Sequence, residues 1–104
     1  MDIEDWRQKI DDLDRQLVRL INERAQCARE IGRLKRNAAM PIYEPDREKI
    51  IFQNIVRLSA GPLSDVQLRQ VYERLVDVMR QVQSEEMAPE AGNQREATEL
   101  EPND

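Results

Sequence analysis

Histidine is absent from this sequence, and cysteine occurs once, at Cys27. Without an imidazole, a serine or cysteine triad has no general base, and most zinc sites lose a customary ligand. A lone cysteine cannot close an internal disulfide. Cys27 sits to the side of the apolar stripe described below, which suits a small half-buried residue better than a nucleophile. No apolar run approaches the ~18 residues of a membrane span. The acidic opening, Met1 to Asp5, lacks the basic and apolar regions of a signal peptide. A soluble cytoplasmic protein is therefore expected. There is no internal repeat, and 104 residues suit one small domain better than two cores.

The net charge of -5 is unevenly placed. From Glu85 onward seven acids face one base, Arg95, a balance of -6 that leaves residues 1–84 at +1. The acidity thus belongs to the end of the chain. A near-neutral folded part argues against a dedicated nucleic-acid binder, which carries a basic field.

What is present is helical periodicity. Trp6, Ile10, Leu13, Leu17, Leu20, Ile21, Ala28 and Ile31 recur every three or four residues between Asp5 and Lys35, the signature of one helix face. Asp2 can cap this helix, with Glu4 and Asp5 suited to its N-terminal dipole. It runs to about Arg36, interrupted only by Gly32, which suggests a close helix approach. About 33 helical residues would span ~50 Å, too long for a chain of this size to cover alone, so a partner molecule is expected. Asn37 to Pro45, with prolines at 41 and 45, breaks the helix, and Pro45 suits the first turn of a second. That second helix is expected over 46–58, with Ile51, Ile55 and Leu58 inward. Gly61-Pro62 ends it. Ser64 to Gln67 reads as a capping box that opens a third helix with Leu68, Val71, Tyr72, Leu75, Met79 and Val82 inward. The expected organisation is a helical domain over 1–86 and a disordered acidic tail over 87–104.

Several polar residues interrupt this pattern. Arg24 and Lys35 fall within the apolar arc of the first helix, where a charge costs several kcal/mol unless paired. Two readings stand: the cations line a cavity for an anion, or acids on neighbouring helices pair with them while their stems snorkel to water. Arg47 and Glu48 flank the apolar face of the second helix, Gln83 is the polar member of the Tyr72, Val76, Met79 column, and Arg7 lies on the flank of the first. Arginine binds carboxylates through paired hydrogen bonds, so this set suits a substrate with two carboxylates. With no evident nucleophile, it would act by positioning and fixed electrostatics.

The sequence resembles the all-helical class of chorismate mutases over residues 5–84. The resemblance rests on Arg7 in Trp6-Arg-Gln-Lys-Ile-Asp11, Leu13-Asp14, Asn22-Glu-Arg24, Ile31-Gly-Arg-Leu-Lys35, Pro41-Ile-Tyr-Glu-Pro-Asp-Arg-Glu48, and Tyr72, Leu75, Met79 and Gln83. It implies a three-helix protomer in an interleaved homodimer. It also implies conversion of chorismate to prephenate, a Claisen rearrangement on the route to phenylalanine and tyrosine, with no cofactor or metal. In that scheme Arg24 and Arg47 grip substrate carboxylates, and Arg7 reaches across into the partner's site. Lys35 and Gln83 hydrogen-bond the ether oxygen, while Glu48 holds the ring hydroxyl. Glu44 stands where the family often has Asp, and Met79 where many relatives carry a small hydroxyl residue. Two alternatives remain open: an isochorismate pyruvate-lyase on the same fold, and a non-catalytic helical module regulating another enzyme. Small mutases of this class also dock on other shikimate-pathway enzymes, so the resemblance leaves such a partner open.

Overall fold

A computed structural model of the chain describes residues 1–87. It consists of three helices, α1 (Ile3–Ala38), α2 (Pro45–Leu58) and α3 (Asp65–Met87), and the described residues include no strand. Met87, assigned above to the tail, is the last residue of α3. The remaining tail, 88–104, lies outside the described residues. None of the described helices is long and apolar enough to cross a membrane.

Local chemistry accounts for four of the six helix ends. The Asp2 carboxylate accepts from the Asp5 amide at 2.9 Å and the Asp5 carboxylate from the Asp2 amide at 3.1 Å, a reciprocal cap that satisfies two N–H groups at the start of α1. The helix ends where Ala39 enters the left-handed region at φ 56° and the Met40 amide donates to the Lys35 carbonyl at 2.8 Å. Pro41 follows and cannot continue the helix. Pro45 occupies the first turn of α2. Ser64 Oγ accepts from the Gln67 amide at 3.1 Å and Gln67 Oε1 from the Ser64 amide at 3.0 Å, the expected box at the head of α3.

α3 packs on both α1 and α2, and no direct pairing of α1 with α2 occurs among the described residues. The α1–α3 contact is closest at Gly32. A β-carbon there would stand 2.9 Å from the Gln83 carbonyl oxygen and 3.0 Å from its Cα. Both are backbone atoms and cannot swing aside, so a hydrogen at this position lets the two helices meet.

Ala28, Val76 and Met79 are the buried apolar residues of the described chain. The long stripe of α1 is different. Trp6, Ile10, Leu13, Leu17, Leu20 and Ile21 are each between 43% and 55% exposed, although their spacing reads as a core face. The reason is reach: the buried residues of α1 lie between Ala28 and Lys35, and residues 1–23 stand clear of the rest of the chain. Leu58 and Val71, expected inward, are also exposed, at 75% and 57%, and Cys27 is exposed where a half-buried thiol was expected. Periodicity marks an apolar face but does not say whether this chain covers it.

Gly32→Ala gains about 1 kcal/mol of helix propensity, but overlap with rigid backbone costs about 1–3 kcal/mol. The variant is expected to melt several degrees lower in a thermal scan. A rise in melting temperature would contradict the close approach.

Candidate active site

The site is organised by Lys35, whose residue is 4% exposed. An ammonium has three N–H donors; here two of them donate hydrogen bonds, and a carboxylate forms an ion pair beside them. The hydrogen bonds run to the Ile42 carbonyl at 2.8 Å and Gln83 Oε1 at 2.9 Å, and the paired oxygen is Glu44 Oε1 at 2.7 Å. These three partners come from the connection after α1, α3, and the residue capping α2. The bond from Lys35 also sets the Gln83 amide: its oxygen faces the ammonium, so its NH2 is left to donate elsewhere.

Gln83 is held to α1 from both sides. Gly32 allows its backbone to come close, and one turn further on Glu86 is clasped by Arg29 and Arg33, each through Nε at 3.1 Å. Arg36 adds a hydrogen bond to the Glu86 carbonyl at 2.9 Å. The spacing of these three arginines places them on one face of α1, but which acid they meet is a long-range fact.

Around Lys35 and Gln83 opens a cavity of about 60 Å³, lined also by Arg24, Glu44, Arg47, Glu48, Met79 and Arg80, with Ile42, Ile51 and Val76 as apolar walls. Seven of the eight residues singled out from the sequence therefore meet at one place: Arg24, Lys35, Glu44, Arg47, Glu48, Met79 and Gln83. Arg7 does not. It lies seventeen residues before Arg24, ~26 Å along the helix, and pairs with Glu4 at 2.7 Å on an exposed turn. A second space, sharing Arg24, Arg47 and Gln83, continues past Cys27, Ala28 and Ile31 along α1. The cavity thus opens toward the side of α1 that this chain leaves uncovered.

The two readings of the cations divide residue by residue. Lys35 has a neighbouring acid, Glu44. Arg24 and Arg47, by contrast, make no hydrogen bond or ion pair among the described residues, although both line the cavity. The lining carries four cations (Arg24, Lys35, Arg47, Arg80) against two carboxylates (Glu44, Glu48), an excess of two positive charges. Met79 is buried and brings a thioether, a poor hydrogen-bonding partner for a carboxylate.

Sequence reasoning missed Arg80. Its Nε lies 3.3 Å from Glu48 Oε2, its Nη2 3.8 Å from Asp77 Oδ1, and its guanidinium 5.3 Å from the centre of the Tyr43 ring. Arg80 follows Val76 by four residues and precedes Gln83 by three, so helical spacing could have flagged it.

The described helices thus enclose a cavity lined by two unpaired guanidinium groups and a buried ammonium, a setting whose charge suits an anion. The family model described as chorismate mutase type II matches residues 6–84, and the chain belongs to that family. It is 40% identical over 84 residues to a bifunctional chorismate mutase/prephenate dehydratase of Neisseria gonorrhoeae, covering 81% of this chain and 21% of that protein. A protein of the same description from Aquifex aeolicus is 43% identical over 58 residues, covering 56% of this chain and 16% of that protein. The chain therefore spans about a fifth or less of these two bifunctional relatives. A chorismate mutase of Methanocaldococcus jannaschii is 38% identical over 52 residues, half of this chain and 52% of that protein. Among solved structures, form II of the chorismate mutase from Thermus thermophilus superposes with a TM-score of 0.77 at 27% identity, covering 79% of this chain and 93% of that one.

Lys35→Met keeps the bulk of the stem but leaves the Ile42 carbonyl and Gln83 Oε1 without their donor. A loss of about 1–3 kcal/mol in denaturant unfolding is expected. An unchanged midpoint would mean that these bonds do not hold the connection to the helices.

Proposed function

We propose that this chain is a chorismate mutase, converting chorismate to prephenate as a step toward phenylalanine and tyrosine. The observation that carries the proposal is the pair of unpartnered guanidinium groups, Arg24 and Arg47, beside the Lys35–Gln83 pair. Membership of the chorismate mutase type II family supports it. Chorismate carries two carboxylates, and its charge matches the cavity's excess of two positive charges.

The reaction is a [3,3] rearrangement within one bound molecule. An ether C–O bond breaks while a C–C bond forms, and no proton or group enters or leaves. Negative charge builds on the ether oxygen as that bond lengthens. Arg24 and Arg47 hold the carboxylates in the folded shape the rearrangement requires, which removes much of its entropic cost. Lys35 Nζ and the Gln83 amide donate to the ether oxygen, a contact that strengthens as charge develops and so favours the transition state. Glu44, whose side chain is 41% exposed, is the Lys35 partner freest to withdraw in favour of substrate. Glu48 accepts from the ring hydroxyl.

A homodimer completes this arrangement. The exposed stripe from Trp6 to Ile21 is a surface that water disfavours, and a second copy interleaved along α1 would bury it. The same interleaving would bring Arg7 of one copy toward the open side of the other's cavity, as a fourth guanidinium beside Arg24, Arg47 and Arg80. A cytoplasmic location fits this reading. The joining of mutase and prephenate dehydratase in the bifunctional relatives makes docking on a neighbouring pathway enzyme reasonable.

The direct test is absorbance-monitored loss of chorismate with the purified chain, followed by acid conversion of the product to identify prephenate. Isochorismate is assayed in parallel. Pyruvate release without prephenate would select the lyase, and no turnover of either substrate would favour a regulatory module. Gln83→Ala is expected to lower kcat by about 10²-fold while the protein stays folded, and near-normal turnover would exclude Gln83 from the ether oxygen. Arg7→Ala and Lys35→Ala chains, each nearly inactive alone, are expected to regain activity when mixed and refolded. One of the two sites in each heterodimer then has both residues, and failure to regain activity would contradict a shared site.

A further inference from the structure

We propose that Arg80 is a positioning residue of this site, holding the Glu48 carboxylate at the cavity wall where it meets the substrate's ring hydroxyl. The proposal rests on the mutase reading above. Glu48 comes from the first turn of α2, its side chain is 18% exposed, and among the described residues its ion-pair partner is Arg80 of α3. Nothing on α2 itself pairs with that carboxylate.

The guanidinium is itself held on two other sides. The Tyr43 ring, from the connection between α1 and α2, lies 5.3 Å from it, and Asp77 lies one turn earlier on α3. Arg80 thus joins the connection, α2 and α3 at the edge of the cavity, and its planar group has a stacked face and an anionic edge, the arrangement that distinguishes arginine from lysine. The contact with Glu48 is a loose one. Nε is 3.3 Å from Oε2, yet this buried nitrogen has no aligned hydrogen bond. A bidentate fork would occupy both carboxylate oxygens. A contact through one nitrogen locates the group by charge and leaves acceptor capacity for a hydroxyl. A partner that merely stapled α2 to α3 would gain by forming the fork.

A double-mutant cycle with Arg80→Met and Glu48→Gln separates action through Glu48 from direct action on the substrate. The kcat/KM for chorismate is measured for the full chain and the three variants, with thermal unfolding recorded for each. Arg80→Met is expected to lower kcat/KM about 10-fold in the unsubstituted chain, yet less than about 2-fold when Glu48 is already Gln. Arg80→Lys, which keeps the charge but not the planar face, is expected to recover part of the loss, and it replaces Arg80→Met in the cycle if that variant does not fold. An equal factor in both backgrounds would overturn the proposal and place Arg80 on the substrate itself. So would a kcat/KM within about 2-fold of the unsubstituted chain. If the unsubstituted chain left chorismate unchanged, the mutase reading would fall and Arg80's role with it.

Discussion

A buried ammonium holds this structure together. Lys35 is nearly sealed from water, and removing water from a charge costs several kcal/mol unless good partners replace it. Two hydrogen bonds and one ion pair do so, and their partners belong to three different segments. Because α1 and α2 do not pack on each other, the contacts from Lys35 to Ile42 and Glu44 tie the connection and the head of α2 back to the long helix. The bond to Gln83 does the same for α3. One side chain therefore links the pieces that form the cavity and is also the central cation inside it. Stability and proposed chemistry compete for the same N–H groups, and Glu44 is where that competition is easiest to resolve.

The uncovered face of α1 and the open side of the cavity point to one cause. α3 reaches only the C-terminal part of α1, so the apolar residues of its N-terminal half face water. The space beside the cavity runs out along the same helix at Cys27 and Ile31. A second copy lying along α1 would cover the stripe and close that space together. Arg7, far from its own chain's cavity, fits such a design because a helix of 36 residues is long enough to serve two sites.

Much of this was legible in the sequence. Apolar spacing gave three helices close to their observed limits, and proline, Ser64 and Asp2 marked their ends by ordinary turn and cap chemistry. Arg24, Lys35 and Gln83 stood out because each places a polar group on an apolar arc, and the cavity brings them together. Less legible were features that depend on what another segment supplies. The Ile42 carbonyl carries no side-chain signal, and Glu86 looks like any acid near a helix end until Arg29 and Arg33 meet it. Arg80 was overlooked because an arginine beside Met79 reads as a solvated flank, and its role depends on Tyr43 and Glu48 arriving from elsewhere. Leu58, Val71 and the stripe of α1 show the remaining limit: a period of 3.6 names a face but not its occupant.

The central claim is that the cations of this cavity are compensated by a doubly charged guest. Calorimetric titration with a rigid bicyclic dicarboxylate, shaped like the compact form chorismate adopts as it rearranges, tests this most directly when paired with the same molecule bearing one carboxylate as its amide. The account predicts saturable binding of one dianion per protomer, and at least about tenfold weaker binding of the singly charged analogue, the loss of one desolvated charge pair. Equal affinity for the two, or no binding of either, would contradict it.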